Sequence, residues 1–304
     1  MSATTATSRG RGKSQASKDL IRACSRIIEA IQPCTVRGVC YQLFTRGLIA
    51  SMAKNETNRV GTLLTYGREQ EIIPWSWIVD ETRAPERAQT WKDPEAFKAA
   101  CRRSYRRDRW EGQAEHVEVW SEKGTIRGVL APVLEEFAVT FRVMHGYASA
   151  TAVRQAADES AKDAKPWTVF YVGDYDPSGM FMSEVDLPGR LAEYGGKITL
   201  QRIALEEADT LYGDLSGFDA DTKMGDTRYD WFVERYGHKC WELDAMDPND
   251  LRTRVKDAIE VCIEPESWAR YDLGEQAEQK SLSMVLDRWT ESISMQASKC
   301  EGGR

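Results

Sequence analysis

Apolar residues recur at helical spacing through residues 18–31, at Leu20, Ile21, Cys24, Ile27, Ile28 and Ile31, which predicts an amphipathic helix. Pro33 interrupts the pattern. Thr35 is placed to cap a second helix over 36–46, with Gly47 as its stop. Val60, Leu63 and Leu64 predict a third helix from 55 to about 70, and the apolar run 72–79 reads as a short strand or wing. Beyond residue 116 the pattern changes. Strands at 117–120, 141–144, 167–172 and 198–205 alternate with helices at 128–139, 149–163 and 180–194. Such alternation means βαβ units and a parallel sheet. From Pro248 the chain is helical again, with Asp247 as a cap, proline at the first helical position, and a longer helix over about 275–295. The expected class is therefore α/β, in five parts: a disordered basic tail (1–17), a three-helix unit with a wing (18–91), a connector (92–115), a parallel-sheet unit (116–246) and a helical C-terminal region (247–304).

Composition narrows the classes. With 304 residues, 41% hydrophobic and 29% charged, the chain has material for about two ordinary domains. No apolar run approaches the roughly 18 residues of a membrane span, and the polar start is no secretory signal. Seven cysteines without a CxxC pair argue against a disulfide framework or a zinc ribbon, which implies a reducing compartment, the cytoplasm. Cys24 and Cys40 fall on apolar helical positions and read as core. His116, His145 and His238 have no partners at ligand spacing, and no phosphate-binding glycine loop for ATP is visible.

Charge is divided unevenly. The whole chain carries −7, but residues 1–110 hold 20 Lys+Arg and 11 Asp+Glu, and the remainder holds 21 and 37. A basic first third and an acidic remainder suggest one part facing a polyanion and another carrying acidic chemistry. Three helices and a wing on a basic segment outline a winged helix, whose third helix would offer Asn55, Asn58, Arg59, Thr62 and Arg68 to a DNA groove. In the connector Arg102, Arg103, Arg106, Arg107 and Arg109 lie close together. Arg103, Arg106 and Arg107 would share one helical face, either solvated or set against phosphates.

Two segments carry candidate chemistry. In 117–124 a strand empties into Glu122, Lys123 and Gly124; in 169–179 an apolar strand empties into Asp174-Tyr175-Asp176-Pro177-Ser178-Gly179. Ligands of open α/β sheets bind at the carboxyl ends of strands. Asp174 and Asp176 can converge on one ion, and Glu122 from a neighbouring strand would complete the oxygen site that Mg²⁺ prefers. Three gathered carboxylates repel, so removing one should relieve crowding in the protein without metal.

The pair of motifs, about 50 residues apart across a βαβα stretch, resembles the Toprim domain. More closely, Ser121-Glu122-Lys123-Gly124 with Gly173-Asp174-Tyr175-Asp176-Pro177-Ser178-Gly179 resembles the topoisomerase VI A subunit and the meiotic double-strand-break transesterase, and so does the later run 240–246. The resemblance covers 116–246 and, more weakly, 18–80. Members place a winged helix first, with a basic residue and then a nucleophilic tyrosine on its second helix. Arg37 and Tyr41 match that pattern; Cys40 stands where the family has an aromatic residue, and Gly38 where it often has an acid.

This resemblance implies Mg²⁺-dependent cleavage and rejoining of DNA through a 5′ phosphotyrosyl link to Tyr41, with the metal on Glu122, Asp174 and Asp176 and with Arg37 and Lys123 assisting at the phosphate. It also implies a homodimer, a separate ATPase subunit for strand passage, and a nucleoid-associated place in the cytoplasm. Two alternatives remain open on the residues alone: a metal-dependent nuclease in which water replaces Tyr41, and a non-catalytic DNA-binding protein.

Overall fold

A computed structural model of the chain describes residues 13–79, 88–144, 150–212 and 215–301. Most of the tail, 1–12, thus lies outside the described residues, as does His145. Helix α1 (Gln15–Ile31) begins earlier than its apolar stripe, because Ser14 Oγ accepts from Ser17 N at 3.3 Å and caps it. A two-residue strand β1 (Cys34–Thr35) leads into α2 (Val36–Thr45), where Thr35 Oγ1 accepts from Gly38 N at 2.9 Å. Helix α3 (Lys54–Glu69) follows, and the three helices enclose a core of Ile21, Cys24, Ile28, Cys40, Leu43, Val60 and Leu64. The run 72–79 is a strand only at its end. Ile72 and Ile73 donate to Gly67 O, closing α3, and Pro74 starts a turn over Trp75–Trp77. Only β2 (Ile78–Val79) is extended, and it pairs in parallel with β1.

Helix α4 (Pro94–Ser104) opens the connector. Next come β3 (His116–Ser121), α5 (Ile126–Phe137), β4 (Thr140–Val143), α6 (Ala150–Lys162) and β5 (Trp167–Val172). The helix expected at 180–194 is divided into α7 (Pro177–Phe181), a π-helical turn over Met182–Asp186, and α8 (Leu187–Glu193). Pro188 has no N–H for the carbonyl four residues back, and the wider turn lies just before it. Strand β6 (Ile198–Ala204), α9 (Glu207–Tyr212), β7 (Phe218–Asp219), α10 (Tyr229–Tyr236) and β8 (Lys239–Cys240) lead to α11 (Pro248–Val261) and α12 (Pro265–Glu301). Helix α12 starts ten residues before its expected position, with the Glu264 carboxylate accepting from Ser267 N at 2.5 Å.

The fold is mixed α/β. Among the described residues the main sheet has four strands in the order β4-β3-β5-β6, all parallel. Alternate side chains serve opposite faces: Val117, Val119, Phe170 and Val172 pack with α5 and α11, while Trp120, Val169 and Tyr171 pack with α6 and α8. Both faces are covered, as a parallel sheet requires. From β3 the chain moves outward to β4, then returns to place β5 on the other side of β3. The strand order reverses between β3 and β5, and both strands release their acidic residues there.

Candidate functional site

Glu122 follows β3, and Asp174 and Asp176 follow β5, so the register of Ser121 with Val172 brings the two loops side by side. Glycine permits the tight path of the second loop. A Cβ on Gly179 would lie 2.3 Å from the Asp174 carbonyl oxygen. Asp176 caps α7 by accepting from Gly179 N at 2.7 Å, and its other oxygen accepts from Lys223 Nζ at 3.0 Å. Asp174 Oδ1 accepts from Leu243 N at 2.7 Å and is 2.8 Å from Lys123 Nζ. Both aspartates are buried.

Beneath this loop lies Arg202, on β6. Its guanidinium donates to the carbonyls of Gly173 (3.0 Å), Asp174 (3.0 Å), Gly179 (2.8 Å) and Leu205 (2.8 Å), and to Ser183 Oγ (2.9 Å). Sequence reasoning missed Arg202; the signal was a charged residue within an otherwise apolar strand end.

The segment after β8 adds two carboxylates that sequence reasoning did not assign. Asp244 Oδ2 accepts from Lys123 Nζ at 3.0 Å, and its Oδ1 from Thr35 Oγ1 at 2.5 Å. Glu242 pairs through both oxygens with the Arg37 guanidinium. Their alternate spacing repeats that of Asp174 and Asp176. Helix α2 is thereby fastened to the acidic loops, and Arg37 also lies over the Tyr41 ring, 5.9 Å from its centroid. A cleft of about 580 Å³ runs between Arg37, Glu122, Lys123, Asp174, Glu242 and Asp244.

Electrostatics follow from this crowding. Burial, and then Asp174 and Asp176, push the Glu122 carboxyl up to about 7. Burial raises Asp174 too, against Lys123. Burial opposes the Lys123 charge, but Asp174 and Asp244 outweigh it and hold the ammonium above its ordinary value. The Tyr41 phenol is also raised, by burial first and then by Glu242, with Arg37 and Lys123 acting in the other direction.

The donor set of Glu122, Asp174 and Asp176 is oxygen only, the chemistry that a hard divalent cation takes, and its mutual repulsion is what such a cation offsets. As the side chains stand, no group of three or more His, Cys, Asp and Glu among the described residues is gathered closely enough to hold a metal. The two aspartates are instead engaged by Lys123 and Lys223.

Of the other candidates, Asn55, Asn58, Arg59 and Thr62 lie on the exposed side of α3, with Arg59 paired to Glu56 at 2.8 Å. Arg68 stacks on Trp75 at 4.7 Å. Arg103 and Arg106 are exposed, but α4 ends at Ser104, so Arg106 and Arg107 do not share its face. Arg107 is turned to α12, pairing with Glu278 at 2.9 Å and stacking on Tyr271 at 4.8 Å. His116 stacks on Trp167 at 4.1 Å and contacts the buried Glu118 at 3.2 Å, a satisfied structural histidine. Cys24 and Cys40 are core residues. Among the described residues no helix is long and apolar enough to cross a membrane. The chain matches no family model, no curated protein and no solved structure.

Proposed function

We propose that this protein cleaves DNA strands with a Toprim-type acidic centre, Glu122 with Asp174 and Asp176, served by a winged-helix-like unit over 18–91 that binds the DNA. The observation that carries this reading is that those acids leave adjacent strand ends at the strand-order reversal, beside the Arg37–Tyr41 helix, which Glu242 and Asp244 fasten there. Mg²⁺ on the acids would supply Lewis-acid stabilisation of the phosphate and the leaving oxygen. Tyr41 would attack the scissile phosphorus and give its phenol proton to solvent; the phosphorus–O3′ bond breaks as O3′ takes a proton from solvent and leaves as a 3′-hydroxyl, and the new phosphorus–oxygen bond, a 5′ phosphotyrosyl link, is kept for rejoining. Arg37 releases Glu242 and turns its planar fork to the phosphate oxygens. The reading extends to a homodimer and a separate ATPase subunit, in the manner of the topoisomerase VI A subunit, and to a nucleoid-associated place in the cytoplasm.

A second reading has its own support. Tyr41 is only 3% exposed and its phenol is held above its ordinary pKa, which favours water over the tyrosine as the nucleophile, as in a nuclease whose acids would hold the metal. A denaturing gel of the full chain with DNA and Mg²⁺ separates the two. Transesterification leaves a covalent protein–DNA adduct that Tyr41→Phe abolishes while DNA binding persists. Cleavage to free ends that survives Tyr41→Phe overturns the tyrosine role and leaves the nuclease.

A further inference from the structure

We propose that Lys123 and a divalent cation compete for Asp174, and that Asp244 is the acceptor that holds the displaced ammonium. This rests on the acidic centre proposed above. Lys123 Nζ lies 2.8 Å from Asp174 Oδ1 and 3.0 Å from Asp244 Oδ2, bridging carboxylates from two segments far apart in the chain. Asp174 Oδ1 also accepts from Leu243 N, so this oxygen already serves two donors, and a cation that took it would have to displace the ammonium. Lysine is a compact charge on a flexible stem, able to give up one carboxylate and keep the other. Asp244 is suited to receive it. Its second oxygen is held by Thr35 Oγ1 at 2.5 Å, which fixes the carboxylate while the lysine moves. Lys223 on Asp176 needs no such acceptor, since its side chain is 41% exposed against 22% for Lys123 and can turn to water. A relay thus runs from Asp174 through Lys123 and Asp244 to Thr35, the cap of the helix that carries Tyr41.

The test is Mn²⁺ binding to the full chain without DNA, by titration with spectroscopic detection of free Mn²⁺, for the unaltered protein, Lys123→Met, Asp244→Asn and the double variant. Lys123→Met should tighten binding about tenfold, and Asp244→Asn should weaken it about fivefold because the ammonium then stays on Asp174. In the Lys123→Met background, Asp244→Asn should change affinity less than about twofold, since its effect passes through the lysine. Equal effects of Asp244→Asn in both backgrounds indicate simple long-range charge and overturn the proposal, as does a Lys123→Met protein that binds no tighter. In either case the acidic centre still stands, because Mn²⁺ binds. Absence of Mn²⁺ binding in all four proteins overturns the acidic centre and this proposal together. A crystal structure of the unaltered protein with Mn²⁺ gives a check independent of variant folding. Lys123 Nζ should be on Asp244 and off Asp174; an ammonium still on Asp174 beside the ion overturns the competition.

Discussion

Glu122 has the clearest consequence at the scale of a single residue. Its carboxyl sits at about 7 in the folded protein, above the ordinary 4.5, so the fold binds a proton that the unfolded chain releases. Stability from this group is therefore greatest below about 4.5, falls as pH rises to about 7, and is level beyond. Between pH 5 and pH 8 the unaltered protein should lose on the order of 2 kcal/mol relative to Glu122→Gln, read by urea denaturation without divalent cations. Parallel slopes for the two proteins would mean that Glu122 is not crowded. Against the sequence expectation that losing one of the aspartates relieves repulsion stand the contacts that each of them makes. Asp176 caps α7 and holds Lys223, and Asp174 holds Lys123 and Leu243 N. Asp176→Ala should then cost about 1 kcal/mol from the lost cap, whereas Asp176→Asn keeps an acceptor for Gly179 N and should cost less. Thermal melts of the two variants decide it.

Elements, unlike single contacts, were largely legible. The α1 stripe and the apolar strands β3, β5 and β6 follow directly from periodicity, because each buries one face or both. What periodicity could not supply were backbone events set by local chemistry: the divided helix before Pro188, the turn at Pro74 that shortens β2, and the early start of α12 at its Glu264 cap. At the site, the strand-end acids were legible because an acid after an apolar strand marks the sheet's ligand edge. Asp244 and Glu242 were not assigned, since their roles depend on contacts more than 100 residues away in sequence, with Lys123, Thr35 and Arg37. Arg202 was missed for a different reason: its partners lie within 29 residues, but they are backbone carbonyls, which leave no side-chain pattern in the sequence. It ties the strand β6 to four carbonyls of the acidic loop and its neighbour, which a point-like ammonium cannot reach together. Arg202→Lys should leave at least one buried carbonyl unpaired, cost about 1–3 kcal/mol, and weaken Mn²⁺ binding by loosening the Asp174 loop. A variant with unchanged stability would show that the loop holds its shape without the arginine.

For the molecule as a whole, the uneven charge of the sequence is partly taken up within the fold. Part of the basic excess is matched internally: Lys98 and Arg102 meet Asp287, Arg107 meets Glu278, and Arg109 meets Asp272 and Glu275, so that α12 lies along the connector. Aromatic contacts reinforce that seam, with Trp289 on Phe97 at 5.7 Å and Trp268 on Trp110 at 5.4 Å. Among the described residues the basic groups left facing water include Arg103, Arg106 and Lys54, and under the proposed function these would meet the phosphates. Reversing a matched arginine and reversing an exposed one should therefore have opposite signatures. Arg107→Glu sets a carboxylate against Glu278 and Glu275, so the melting temperature should fall by several degrees. Arg103→Glu should leave the melting temperature within about a degree, yet weaken duplex DNA binding and make its dependence on salt shallower, because fewer counterions are released. Fluorescence anisotropy at several salt concentrations, paired with thermal melts, reads both. If Arg103→Glu binds duplex DNA with unchanged affinity and salt slope, the DNA path does not cross the connector and must follow the exposed side of α3, where Arg59→Glu would then carry the loss.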